Sequence, residues 1–156
     1  MRLKKVFLSA VLCGIVLCSH AGEWIKSYRT ARNLAVRQNK KLLIFFSGSD
    51  WNEASRVMER ELFQTAGFKR LADRRYILYN ADFPKYRRLG QETEDQNRRL
   101  AARYGIHRFP AMVLVEPRGG GLLVKQVGLS ETTPSKLLNE LETATTGKPA
   151  GEKKKP

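Results

Sequence analysis

Cysteine is almost absent from this chain of 156 residues: the sequence has two, Cys13 and Cys18, and both lie near the N-terminus. From residue 19 to the C-terminus there is no thiol. A domain folded from that part of the chain can form no disulfide bond, activate no thiolate nucleophile and offer no cysteine ligand to a metal ion. Its function therefore has to come from other side chains.

Long hydrophobic segments are also scarce, and the clearest one, residues 6–18, follows a short basic start. It is shorter than the ~20 apolar residues that span a bilayer. Ser19 and Ala21 then supply small side chains at the two positions that a signal peptidase reads. We expect residues 1–21 to be a signal peptide, cleaved after Ala21, so that the protein is periplasmic or secreted and has no transmembrane span.

The alternatives to a cleaved signal peptide are a buried N-terminal helix and a lipid anchor. A buried N-terminal helix would also be apolar, but a basic start before a long uncharged stretch suits a core helix poorly. A lipid anchor on Cys18 is disfavoured because Leu17 is bulky, whereas lipoprotein signals normally have a small residue there.

Acidic residues are few, with 15 Asp and Glu against 29 Lys and Arg, and the formal charge is +14. Without residues 1–21 the charge is +11, and without residues 145–156 as well it is +8, from 22 basic and 14 acidic residues. Such a field attracts polyanions. Because no zinc finger, aromatic ribonucleoprotein motif or glycine-rich phosphate loop accompanies it, we expect weak contact with anionic envelope polymers and not with nucleic acid.

The C-terminal residues 145–156 are rich in Gly, Pro and Lys and contain no large apolar residue. This composition predicts a disordered basic tail. Residues 22–144 then form one domain.

The hydrophobic pattern of that domain predicts alternating helices and strands. Apolar runs at 42–46, 76–81 and 111–115 predict buried strands, and three glycines at 119–121 predict a hairpin turn to a last strand at 122–127. Helices are predicted over 23–39, from Asp50 with a break near 64–65, up to Gly105, and from Pro134. Asp50 as N-cap and Glu53 would form a capping box.

Strands that are separated by helices imply parallel crossovers, and the final hairpin adds an antiparallel edge. The element order therefore predicts a three-layer α/β/α sandwich.

Several short motifs occur in one order along the chain. They are Phe-Ser-Gly-Ser-Asp-Trp at 46–51, Glu-Leu-Phe at 61–63, Asp-Phe-Pro at 82–84, Tyr-Gly-Ile at 104–106 and Phe-Pro at 109–110. In this order the chain resembles exported thioredoxin-like proteins, whose motif runs Gly-Ser-Asp-Trp-Cys-x-x-Cys, over roughly residues 24–142. The resemblance implies a thioredoxin-like fold with a central mixed sheet of four or five strands.

The chain departs from this family at the active site, where Asn52 and Ser55 stand in place of the two cysteines. Family members use a helix N-terminus to stabilise a thiolate, which attacks a disulfide sulfur. Asn52 has no sulfur, and the Ser55 hydroxyl ionises too reluctantly to replace it. Phe46 also stands where typical thioredoxins have a buried carboxylate. These differences predict a redox-inactive protein that is not an enzyme and has no catalytic residue, cofactor or metal site.

The resemblance implies that Trp51, Asn52, Phe109, Pro110 and Gly128 line a groove in which relatives hold an extended peptide. It also implies that the Phe109–Pro110 bond is cis. We predict that the chain binds a protein or peptide partner in this former active-site groove, in a chaperone-like or accessory role. The alternative is that these residues are relics that serve only the fold.

Two other functions remain open. One is an enzyme with non-thiol chemistry near Ser55 and His107, the only histidine after residue 21. No nucleophile elbow accompanies these residues, and one histidine without cysteines makes no zinc site. The other is a polyanion-binding module that acts through the +8 charge.

Overall fold

The computed structural model describes residues 22–129 and 132–144. The predicted signal peptide with Cys13 and Cys18, and the predicted tail over 145–156, lie outside the described residues and remain predictions. The strands are β1 (Trp24–Ile25), β2 (Lys41–Ser47), β3 (Tyr76–Asp82), β4 (Ala111–Val115) and β5 (Leu122–Val127). The helices are α1 (Tyr28–Arg37), α2 (Glu53–Met58) with a π-helical continuation (Glu59–Phe63), α3 (Ala66–Arg75), α4 (Gln91–Tyr104) and α5 (Pro134–Ala144).

The five strands form one mixed sheet in the order β1-β3-β2-β4-β5. The central strand β2 is buried on both faces: Leu42 and Ile44 belong to one core cluster, and Leu43 and Phe45 belong to the other. It pairs in parallel with β3 and antiparallel with β4. A continuous apolar run is what a strand covered on both faces requires, and the predicted strand is confirmed.

Helices cover both faces of the sheet. On one face the buried side chains come from α1 and α4, among them Ala31, Ala35 and Leu100. On the other face they come from α2 with its π-helical continuation, α3 and α5, as Met58 and Leu137 illustrate. The predicted three-layer sandwich is confirmed. Among the residues described, no helix is both long enough and apolar enough to cross a bilayer.

The N-terminal helix starts later than predicted. Trp24 and Ile25 form the edge strand β1, which pairs in parallel with β3, and the helix begins only at Tyr28 after the N-cap Ser27. The Trp24 ring packs against Phe45 and Phe63, with ring centroids 6.0 and 5.1 Å away. Trp24 and Ile25 pack against opposite faces of the sheet, so two apolar residues that also fit the helical spacing form an edge strand here.

The direction of β4 also differs from the expected parallel crossover. α4 ends at Tyr104, and its C-cap Gly105 has a left-handed φ of 59°, which suits glycine. The six residues 105–110 return the chain to the end of the sheet where β3 finishes, so β4 begins opposite Phe46 and runs antiparallel to β2. The expected parallel connection does not form here, because an extended segment as well as the helix α4 connects β3 to β4.

Candidate functional site

The loop before β4 brings two of the predicted groove residues together. The Phe109–Pro110 peptide bond is cis, as predicted. The Pro110 carbonyl accepts a hydrogen bond from the Gly128 backbone N–H at 2.7 Å. Gly128 has a φ of 75°, a conformation that favours glycine. This bond fixes the end of β5 beside the loop of residues 105–110, which we call the proline loop.

Asn52 caps the helix that faces this loop. Its side-chain oxygen accepts hydrogen bonds from the Ser55 backbone N–H at 2.8 Å and from the Ser55 hydroxyl at 3.1 Å. Its amide group donates to the Phe109 carbonyl at 3.4 Å. Asparagine is among the best N-cap residues, since its oxygen satisfies a free N–H in the first turn. One side chain therefore joins α2 to the proline loop.

The predicted capping role of Asp50 is wrong, because Asn52 is the N-cap of α2. The Asp50 carboxylate instead accepts hydrogen bonds from the backbone N–H groups of Lys85 and Tyr86, both at 2.9 Å. Desolvation acts to raise the pKa of Asp50, but these backbone donors outweigh it and lower the pKa. Asp50 thus holds the loop after β3 and not the helix.

Trp51 and two phenylalanines form an aromatic cluster beside Asn52. The Trp51 indole N–H donates to the Phe83 carbonyl at 2.7 Å, and its ring meets Phe109 edge to face at 6.1 Å between centroids. Phe83 and Phe109 stack at 4.8 Å. A Cβ at Gly48 would lie 2.5 Å from the Trp51 ring, so only glycine allows the indole to lie here. The five predicted groove residues are therefore connected through hydrogen bonds and ring contacts.

The sequence argument missed a buried polar cluster around Asp82 at the end of β3. Its carboxylate is 8% exposed and accepts hydrogen bonds from the Ser47 hydroxyl and the Ser49 backbone N–H, both at 2.9 Å, and from the Ser49 hydroxyl at 2.7 Å. It also pairs with Arg87. A charged residue directly after an apolar strand, before Phe83-Pro84, was the available signal. The cluster fixes the start of the loop that Asp50 also holds.

The proposed Ser55 and His107 chemistry finds no support in the geometry. Ser55 is 2% exposed, and its hydroxyl donates to Asn52 and accepts from the Gly48 backbone N–H at 3.2 Å. His107 is exposed, and none of the described hydrogen bonds joins it to Ser55. Within residues 22–129 and 132–144, no three His, Cys, Asp or Glu side chains are grouped so that they could hold a metal ion.

The residues at the start of α2 supply no sulfur for exchange. The site combines a capped helix start, an aromatic cluster and a proline loop, and the chain has neither a thiol nor a base at residues 52 and 55. Thiol–disulfide exchange requires a thiolate as nucleophile, so a sulfur used at this site has to be brought to it.

Two curated relatives from Chlamydia pneumoniae match part of the chain. The disulfide bond reductase DsbH is 29% identical over 97 residues, which are 62% of this chain and 58% of that protein. The thioredoxin-related protein DsbJ is 25% identical over 92 residues, which are 59% of this chain and 26% of that protein. The chain thus spans little more than half of the first relative and a quarter of the second.

Two solved structures share the fold. A structure of the DsbH oxidoreductase superposes with a TM-score of 0.71 and 23% identity, covering 81% of this chain and 85% of that one. A thioredoxin from Thermus thermophilus gives a TM-score of 0.59 and 18% identity, covering 77% and 85%.

The expectation that the chain is not an enzyme, with no oxidoreductase activity, is wrong. Its curated relatives are named a disulfide bond reductase and a thioredoxin-related protein, which points to an enzyme-like function of the thiol–disulfide type. The expectation equated activity with cysteines at positions 52 and 55, and it left out the part of catalysis that consists in binding and orienting a substrate.

A family model for thioredoxin-like proteins matches residues 23–117, which are more than half of the chain. This protein belongs to the thioredoxin-like family.

Proposed function

We propose that this protein takes part in thiol–disulfide exchange as the component that binds an extended polypeptide segment, and that it does so in the groove of Trp51, Asn52, Phe109, Pro110 and Gly128. The observation that carries the proposal is the contact between the N-cap of α2 and the proline loop, through the Asn52 amide and the Phe109 carbonyl. This contact keeps the two walls of the groove in register.

The chemistry of the groove suits a polypeptide backbone. The Phe109 carbonyl oxygen accepts the Asn52 amide at 3.4 Å and has a second lone pair that a peptide N–H can use. The Trp51 ring is half-buried, with the Lys85 ammonium 3.9 Å from its centroid, and it offers its remaining exposed apolar area next to this carbonyl. Main-chain hydrogen bonds together with a side-chain contact are the usual means by which a strand is recognised at an exposed edge.

The sulfur for the exchange comes, in this proposal, from outside the groove. Asn52 and Ser55 have none, so the thiolate belongs to the bound polypeptide, to a partner protein, or to Cys13 and Cys18 where the N-terminal segment is retained. Export remains part of the proposal: residues 1–21 act as the signal peptide, residues 22–144 form the domain and residues 145–156 form a basic tail. Weak attraction between the basic surface and anionic envelope polymers is also proposed.

Binding of an unfolded polypeptide tests the proposal. A fluorescent, reduced and alkylated polypeptide should bind the full chain, and Trp51→Ala should weaken binding at least ~10-fold, since a central aromatic anchor commonly contributes ~2 kcal/mol or more. Arg118→Ala, at the opposite end of the sheet, is the control and should bind like wild type. No binding up to about 1 mM, or equal affinity of Trp51→Ala and wild type, would contradict the proposal.

A second candidate function is anion binding at the opposite end of the sheet. A cavity of about 280 Å³ there is lined by Arg32, Arg103 and Arg118. Glu116, which also lines it, pairs with Lys41 and so does not neutralise these arginines. Inorganic phosphate or heparin should then shift the thermal midpoint of wild type but not of Arg103→Ala; equal shifts would remove this candidate.

A further inference from the structure

The loop after β3 is basic, exposed and adjacent to the groove. Residues 85–88 read Lys-Tyr-Arg-Arg, and all four are exposed. Tyr86 is 81% exposed, far more than is usual for a large apolar side chain. We call residues 85–88 together with Arg108 the basic rim.

Two aspartates hold residues 85–87 of the basic rim in place. Asp50 accepts hydrogen bonds from the backbone N–H groups of Lys85 and Tyr86, and Asp82 pairs with the Arg87 side chain. The two carboxylates lie at the start of α2 and at the end of β3, respectively. A loop anchored from two elements is preorganised, so it loses little conformational entropy when it binds a partner.

The rim places positive charge beside the aromatic cluster. The Lys85 ammonium lies 3.9 Å from the centroid of the Trp51 ring, and Arg108 directly precedes Phe109. Within the described part of the chain, Lys85, Arg88 and Arg108 form no ion pair, whereas Arg87 is paired with Asp82. Three cations therefore remain available to a ligand in the groove.

We propose that the basic rim selects an acidic segment of polypeptide, with its Asp or Glu side chains on Lys85, Arg88 and Arg108 and an apolar side chain on Tyr86. The proposal rests on the proposed function, because the rim adds selectivity to the same groove. Charges at the edge of an interface act mainly through steering and discrimination between partners. A lysine-rich segment would meet like charge at the same positions and is disfavoured.

Three extended peptides of ~12 residues test the selectivity. They share one sequence in which alternate positions are Asp, Ser or Lys, and their affinities for the full chain are measured at about 0.05 M salt. The Asp peptide should bind at least ~10-fold more tightly than the Lys peptide, with the Ser peptide between them, and about 0.5 M salt should reduce this ratio.

Charge reversal on the rim supplies the decisive comparison. Lys85→Glu/Arg88→Glu should weaken the Asp peptide ~10-fold and leave the Ser peptide within ~3-fold of wild type. The matched control is Arg37→Glu/Arg118→Glu, which changes the net charge equally. These residues flank the other end of β2, ~20 Å away along a strand of seven residues, which is beyond the screening length of about 14 Å at 0.05 M salt.

The outcomes separate the two proposals. If no peptide binds, the proposed function fails. If all three bind equally, or if both double variants lower the affinity of the Asp peptide to the same degree, binding in the groove stands and the selectivity of the rim is overturned. A single-stranded oligonucleotide that binds wild type more tightly than the Asp peptide, and loses affinity in Lys85→Glu/Arg88→Glu, would assign the rim to nucleic acid and also overturn it.

Discussion

Replacement of Asp82 by alanine tests whether the buried polar cluster organises the site. The carboxylate holds Ser47, Ser49 and Arg87. The Ser47 hydroxyl keeps a second acceptor, the Asn80 side chain at 2.8 Å, and the Arg87 side chain is 54% exposed and can return to water. The main loss is thus the pair of bonds from Ser49, each worth ~1–2 kcal/mol once its partial exposure is allowed for.

The expected cost of Asp82→Ala is therefore ~2–4 kcal/mol, with a thermal midpoint about 10 °C lower. Urea denaturation of the purified protein measures it. Asp82→Asn, which keeps the shape but places an amide N–H₂ group near Arg87, should cost less, ~1–2 kcal/mol. Asp73→Ala removes an equal charge from the exposed surface of α3 and should stay within ~0.5 kcal/mol of wild type. An Asp82→Ala protein as stable as Asp73→Ala would refute the reasoning.

Three further changes probe single features of the structure. Gly48→Ala should displace the Trp51 indole, seen as a red-shifted and weaker tryptophan emission, and unchanged emission would contradict the close approach. Burial raises the pKa of Tyr79 from 10 to about 12, so the folded protein holds the phenol proton more tightly than the unfolded chain does. The free energy of unfolding should therefore fall as the pH rises from 10 to 12. Tyr79→Phe should flatten that fall in alkaline denaturation curves. Asn52→Cys/Ser55→Cys should gain insulin reductase activity with dithiothreitol over wild type, because Cα atoms at i and i+3 in a helical turn lie ~5 Å apart, within the range that a disulfide bridges; no gain would mean that the groove does not position a disulfide substrate.

Most of the fold could be predicted because its central strands are continuous apolar runs in the sequence. The runs in β2, β3 and β4 and the glycine-rich hairpin gave nearly correct bounds, since burial on both faces leaves little choice of side chain. The two-residue strand β1 could not be separated from the helix that follows it, because two successive apolar residues fit the helical spacing as well as a short strand that is covered on both faces. The direction of β4 depends on a six-residue connection whose path no local pattern specifies.

The five residues predicted to line a groove were chosen through the family resemblance, and the structure places them in contact with one another. What could not be predicted was which carboxylate or amide performs which task. Asp50 and Asn52 are both good N-cap residues two positions apart, and the choice between them depends on the distant N–H groups of Lys85 and Tyr86. The Asp82 cluster likewise joins residues from separate strands and a loop.

The central claim is that the groove binds a polypeptide, and a titration followed by NMR tests it most directly. The isotope-labelled full chain is titrated with the reduced, alkylated polypeptide while the backbone amide signals are monitored. The largest shifts should fall on Trp51, Asn52, Phe109 and Gly128. Shifts centred on Arg103 and Arg118 at the other end of the sheet, or no shifts at saturating concentration, would contradict the account.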